Sequence, residues 1–233
     1  MFELSPAEWE AVYLSLKVGL WSTLASLPLG FVLAYVLARV QFPLKSLLSG
    51  IVYMPLVLPP VVTGFMLLLF FGTRGPGGKF LSDVFGITIA FRWTGAAVAA
   101  AVMGLPLMVR AMRLSIEAVD RRLELAARTL GATWWGTFFT VTLPLSLPGI
   151  IAGAVLSFAK SFGEFGATIT FVSNIPGETR TLPIAIYSFL QSPGNEGPAV
   201  RLAVLSVIVS MAAIIGAEWV EGRVQKRLKV GAP

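Results

Sequence analysis

Apolar residues fill this chain in five long runs, and polar residues collect in the shorter stretches between them. The runs extend from about Leu14 or Val18 to Ala38, Leu47 to Phe71, Gly95 to Met112, Leu143 to Val172, and Ala199 to Val220. Roughly 20 apolar residues let an α-helix cross the hydrocarbon layer, so each run is a candidate span. The pattern predicts an all-α, polytopic membrane protein of about five transmembrane helices. It forms one domain over 1–233, because no soluble block of domain size separates the runs. The second run contains Pro55, Pro59 and Pro60. Prolines inside a span free carbonyls that lipid cannot satisfy, so this run is expected to kink and to be shielded by protein or a water-lined path. The fourth run is long enough to need a kink or a bent end. Its Pro144 to Pro148 string echoes Pro55 to Pro59, a candidate internal repeat. Segments 72–94 and 174–198, rich in Gly and Pro, form loops on one side of the membrane.

The longest polar interruption, Asp120 to Pro144, lies in the loop at about 113–142. Leu123, Ala126, Ala127 and Leu130 follow helical spacing and share one face, with Arg121, Arg122, Glu124 and Arg128 elsewhere. Asp120 is placed to cap the start of this amphipathic helix and Gly131 to stop it, about three turns later. Two alanines in the apolar face leave a shallow groove where a bulkier partner could seat. A surface helix lying on the bilayer has the same periodicity.

Composition narrows the classes further. With 56% hydrophobic and 13% charged residues in 233, the chain is too apolar for a soluble domain. The net charge of +6 does not point to nucleic acid, because the cations sit in particular loops. Arg39, Lys45, Arg110, Arg113, Arg121, Arg122, Arg128, Arg223, Lys226, Arg227 and Lys229 would share one side, against Arg74, Lys79, Arg92, Arg180 and Arg201 on the other. The positive-inside rule then places the polar helix and the C-terminus in the cytoplasm and the N-terminus outside. Glu3, Glu8 and Glu10 replace the basic start of a signal peptide, so the first run is expected to be retained. The chain has no Cys and no His, which excludes disulfides, thiolate or imidazole catalysis and the usual zinc sites. Gly77-Gly78-Lys79 is not a P-loop, since Thr73 stands at the first glycine position and Phe80 where Ser or Thr is required.

Two ionisable residues, Lys160 and Glu164, fall inside the fourth run at a spacing that lets them pair. The pair can be a self-neutralising structural contact, a subunit contact, or part of a transport path. Gly163 and Gly166 bracket Glu164 and Phe165 and allow another helix to approach, which suits a gate or a dimer seam. Ser161 and Thr168, with Ser157 and Thr170, offer weak hydrogen bonds to a passing oxyanion.

The polar helix and the residues after it resemble the conserved cytoplasmic loop of ABC-importer permeases. Ala126, Ala127, Gly131, Val141, Leu143 and Pro144 are in register with that pattern, while Leu125 occupies its Glu position and Glu124 falls one place earlier. The resemblance implies a coupling helix, with Glu124, Leu125, Ala126, Ala127, Arg128, Gly131 and Ala132 contacting a separate ATP-hydrolysing subunit. Gly163 to Thr168, Asn174-Ile175-Pro176-Gly177, Thr179, Thr181, Pro183 and Ile186-Tyr187 resemble the oxyanion branch of these type I importers, and look most like its molybdate permeases. That likeness implies a non-enzymatic permease in the cytoplasmic (inner) membrane that binds no cofactor itself. It also implies a second permease copy, two ATPase subunits carrying ATP and magnesium, and an extracytoplasmic molybdate-binding protein. Ser161, Gly163, Glu164, Phe165, Gly166 and Thr168 would then line the path or gate. Sulfate, thiosulfate or tungstate remain alternative cargoes, and an ion-gradient-driven secondary transporter using Lys160 and Glu164 as a relay is the alternative of another class.

Overall fold

The computed structural model describes residues 4–194 and the backbone of 196–230, with side chains up to 220 and at 222 and 223. Glu3, used above in the signal-peptide reading, and the side chains of Lys226, Arg227 and Lys229, used to orient the chain, lie outside the described residues.

The first helix, α1 (Pro6–Arg39), starts well before the first apolar run because its polar opening is a complete capping box. The Ser5 N–H donates to Glu8 Oε2 at 2.7 Å, the Glu8 N–H donates to Ser5 Oγ at 3.4 Å, and Pro6 occupies the first turn. Glu8 is fully buried and also accepts from Arg201, at 3.0 Å to Nε and 3.1 Å to Nη2. Lys17 lies inside α1, with its Nζ 3.8 Å from the centroid of the Trp93 ring.

The second run breaks into α2 (Lys45–Val57) and α3 (Pro60–Phe71), bent by 114°. Sterics dictate the break: a residue preceding proline is pushed out of the helical region. Leu58, before Pro59, has ψ 142°, and Pro59, before Pro60, has ψ 132°.

Segment 72–94 is not all loop. It contains the amphipathic α4 (Pro76–Phe85), which ends at Gly86 in the left-handed region with φ 66°. The next helix, α5 (Trp93–Ala118), runs past the expected end at Met112. Arg113 and Glu117 pair at i, i+4 (2.8 Å), so turns too polar to read as a span stay helical. The 113–142 loop is correspondingly shorter, with α6 (Arg121–Thr129) and α7 (Trp134–Thr137) inside it. A π-helical turn, Phe138–Thr142, joins α7 to α8 (Leu143–Phe162). Pro144 explains that turn, because it brings no N–H to the Thr140 carbonyl and its ring crowds it. The proposed repeat fails here: Pro144 and Pro148 lie in the continuous first turns of α8, whereas Pro59 and Pro60 sever a span.

The fourth run does break, as its length required, into α8 and α9 (Gly166–Val172). Segment 174–198 carries α10 (Leu182–Leu190), and α11 (Glu196–Val230) closes the described chain. Among the described residues four helices are long and apolar enough to cross a membrane, five if α2 and α3 form one broken span. The core centres on α5, whose Met108, Val109, Met112 and Ile116 are fully buried against Ala34 and Leu37 of α1 and Val52 of α2. Helix α8 crosses α5 on Gly149 and Gly153, the small-residue spacing that lets membrane helices approach closely.

Candidate coupling helix and translocation path

Helix α6 is capped at both ends as its sequence requires. The Arg122 N–H donates to Asp120 Oδ1 at 2.8 Å. Gly131, at φ 93°, lets the Ala132 N–H return to the Ala127 carbonyl (3.0 Å) and its own N–H to that of Arg128 (3.0 Å). The helix ends one residue earlier than expected, since Leu130 is already its C-cap. Its apolar face is largely open, with Leu123 50% exposed and Leu130 89%, and Leu125, on the opposite side, is 60% exposed. Ala126 and Arg128 are exposed as well, and Ala127 and Ala132 are half-buried.

Glu124 points the other way. Its Oε1 lies 3.1 Å from Arg39 Nη2, at the end of α1, and accepts from the Thr142 hydroxyl at 2.7 Å. The same Arg39 Nη2 donates to the Val119 carbonyl, just past α5, at 3.0 Å. One guanidinium thus ties α6 to the ends of α1 and α5, and Thr142 joins it to the π-turn. Tyr35 packs beside this junction, 5.7 Å from the Phe138 ring, which stacks on Trp134 at 5.8 Å. Arg39, Tyr35, Arg121, Leu125 and Arg128 border a cleft of about 420 Å³ along one flank of α6.

At the other proposed region the two broken spans touch. A Cβ on Gly166, at the start of α9, would stand 2.8 Å from Pro60 Cβ at the start of α3. A Cβ on Gly64 would stand 2.8 Å from Ala167 Cα, so both positions need glycine for α3 and α9 to pack as they do. The break itself is held by Glu164, only 3% exposed. Its carboxylate accepts from Lys160 Nζ at 2.7 Å and from the Ala167 N–H at 3.0 Å. Gly163 is exposed in the gap, and Phe165 leans on Tyr187 with ring centroids 5.0 Å apart. Ser161 is buried and donates to the Ala100 carbonyl, and Thr168 is also buried.

Residues 26–226 match the family described as a binding-protein-dependent transport system inner membrane component. The chain belongs to this family. It is 58% identical over 216 residues to the molybdenum transport system permease protein ModB of Escherichia coli strain K12, covering 93% of this chain and 94% of that protein. It is 53% identical over 224 residues to the ModB of Haemophilus influenzae, covering 96% and 98%. Among solved structures, a chain of a bacterial ABC transporter involved in import of the acidic polysaccharide alginate aligns with a TM-score of 0.74 at 19% identity, covering 94% of this chain and 80% of that one. This last likeness concerns the fold, which is that of type I ABC importer permeases.

The chain is accordingly a multi-pass inner membrane component of a transport system, and not an enzyme. Within that family setting, the residues that sequence reasoning missed are Arg39, Thr142 and Tyr35. In the sequence Arg39 reads only as a topology charge. Its bond to Glu124 spans 85 residues, a separation at which no periodicity carries a signal.

Proposed function

We propose that this chain is the membrane-spanning subunit of an ATP-driven importer of molybdate, working as one of two copies by alternating access. Helix α6 lies in the cytoplasm and docks into a cleft on an ATPase subunit, present twice, which carries ATP and magnesium. The N-terminus and segments 72–94 and 174–198 face outside and receive a molybdate-binding protein. The observation that carries the reading is the inversion of α6: its leucines and Ala126 are open, while its one carboxylate is spent inward on Arg39 and Thr142. A helix anchored through its single carboxylate and bare at its leucines is built to be covered. The names of the relatives, at 53% to 58% identity over nearly full length, support molybdate as cargo.

In this reading the abutting breaks at Leu58–Pro60 and Gly163–Phe165 form the gate region, because irregular backbone at membrane depth is tolerated where it lines a protein-shielded or watered path. Glu164 holds the break in shape instead of meeting the anion, since both its oxygens are engaged and a bare carboxylate would repel an oxyanion. Docking transmits work only if the ATPase binds one permease state more tightly than the other.

The test is reconstitution of permease, ATPase and binding protein in vesicles with labelled molybdate. Uptake should require ATP and all three components and should be competed by excess unlabelled molybdate more strongly than by sulfate or thiosulfate. Uptake by the permease alone under an ion gradient would overturn it.

A further inference from the structure

The molecule holds a charged cleft to which no role has yet been given. It lies between α2 and α5, has a volume of about 380 Å³, and is bordered by Tyr53, Leu56 and Val57 on one wall and by Arg110, Arg113 and Glu117 on the other. We propose that this cleft is an oxyanion-binding station on the cytoplasmic side of the gate, with Arg110 and Arg113 as the groups that hold the anion before release. The inference rests on the oxyanion-importer reading given above and adds a site to it.

Three observations carry it. The first is an unpaired charge. Arg110 sits about two turns before the end of α5, is exposed, and has no ion-pair partner among the described residues. Near the cytoplasmic end of a span, such an unpaired and exposed guanidinium is open to an anion that reaches it.

The second is the wall opposite. Pro59 and Pro60 bring no N–H groups to the carbonyls of Pro55 and Leu56, four residues back, and Leu56 borders the cleft. Lipid cannot supply the missing donors, so this wall favours water or a polar occupant over bare hydrocarbon. A hydrated anion can therefore enter without shedding its shell into hydrocarbon.

The third is position. At neighbouring positions α5 presents Ala111, Ser115 and Ala118 to a second cleft of about 570 Å³, whose far wall is Pro148, Gly149 and Ala152 of α8. Helix α5 is thus the floor between α2 and α8, the two spans that break and whose continuations meet at Pro60 and Gly166.

The charge balance suits passage. Glu117 accepts from Arg113 Nε at 2.8 Å, which neutralises part of one guanidinium, so two cations and one carboxylate face the cleft. A dianion would be drawn in without being trapped, as a site on a transport route requires.

The experiment uses the complete transporter in vesicles with its ATPase side inward, preloaded with unlabelled molybdate at graded concentration. The rate of labelled uptake is read at each concentration. An occupied station should slow uptake, and Arg110→Gln should raise the preload needed for half-inhibition about tenfold, the effect of losing one charge-assisted hydrogen bond. Arg110→Lys should shift it less. Equal half-inhibition in wild type and Arg110→Gln, at matched amounts in the membrane, would overturn the proposal, as would a wild type that preloading does not slow. Repeating the pair in vesicles of phosphatidylcholine alone separates the sources of negative charge. A shift that persists there supports the station, and one that vanishes assigns the cleft to an anionic lipid headgroup and overturns it. Should the wild-type complex take up no molybdate at all, the importer reading fails and the station falls with it.

Discussion

Arg39 makes one nitrogen serve two acceptors, the Val119 carbonyl and the Glu124 carboxylate, and its side chain is only 10% exposed. Replacing it by methionine leaves Glu124, 21% exposed, with the Thr142 hydroxyl as its remaining partner. Arg39→Met is expected to cost about 1–3 kcal/mol, the range for stranding a buried or half-buried hydrogen-bonding partner. The thermal midpoint of the purified complex should fall, and more ATP should be hydrolysed per molybdate carried. Adding Glu124→Leu removes the stranded charge, so the double variant should be more stable than the sum of the two single losses, as unfolding midpoints would reveal. The sequence located Glu124 as a departure from a family pattern and assigned it to contact with the ATPase. Its inward use could not be read from the chain, because the partner that turns it lies on another span.

The elements were legible wherever a local rule governs them. Prolines 59 and 60 announced a break, Asp120 and Gly131 announced the ends of α6, and the helical spacing of Leu123, Ala126, Ala127 and Leu130 announced its face. Elements whose ends hydropathy does not mark were misjudged. The opening of α1 rests on a capping box, the end of α5 on an Arg113–Glu117 pair, and α4 and α10 are short helices inside segments that read as Gly- and Pro-rich loops. Two substitutions test what the elements do. Ala126→Asp places a charge on the open face of α6 and should leave the permease folded while cutting uptake at least tenfold. Binding of the purified ATPase to permease-containing vesicles should weaken in parallel. Gly166→Leu cannot be accommodated against Pro60 without separating α3 from α9. Uptake should be lost in that variant, with ATPase docking retained, and normal uptake would sever the link between the break contact and transport.

At the scale of the whole molecule, the absence of cysteine turns the topology into a direct measurement. Arg128→Cys on α6 and Lys79→Cys on α4 both replace exposed side chains. In intact cells stripped of their outer envelope, a membrane-impermeant maleimide should label the second and spare the first, and inverted vesicles should show the reverse. The opposite pattern would place α6 outside and undo the docking reading. The same geometry bears on how movement crosses the molecule. Helix α1 has 34 residues and is about 50 Å long at 1.5 Å per residue. Near one extremity Glu8 is forked onto Arg201 of α11, and at the other Arg39 grips Glu124 of α6. If α6 docks as proposed, such a rod would act as a pushrod, carrying a displacement of α6 along the flank of the bundle to Arg201 at the far rim.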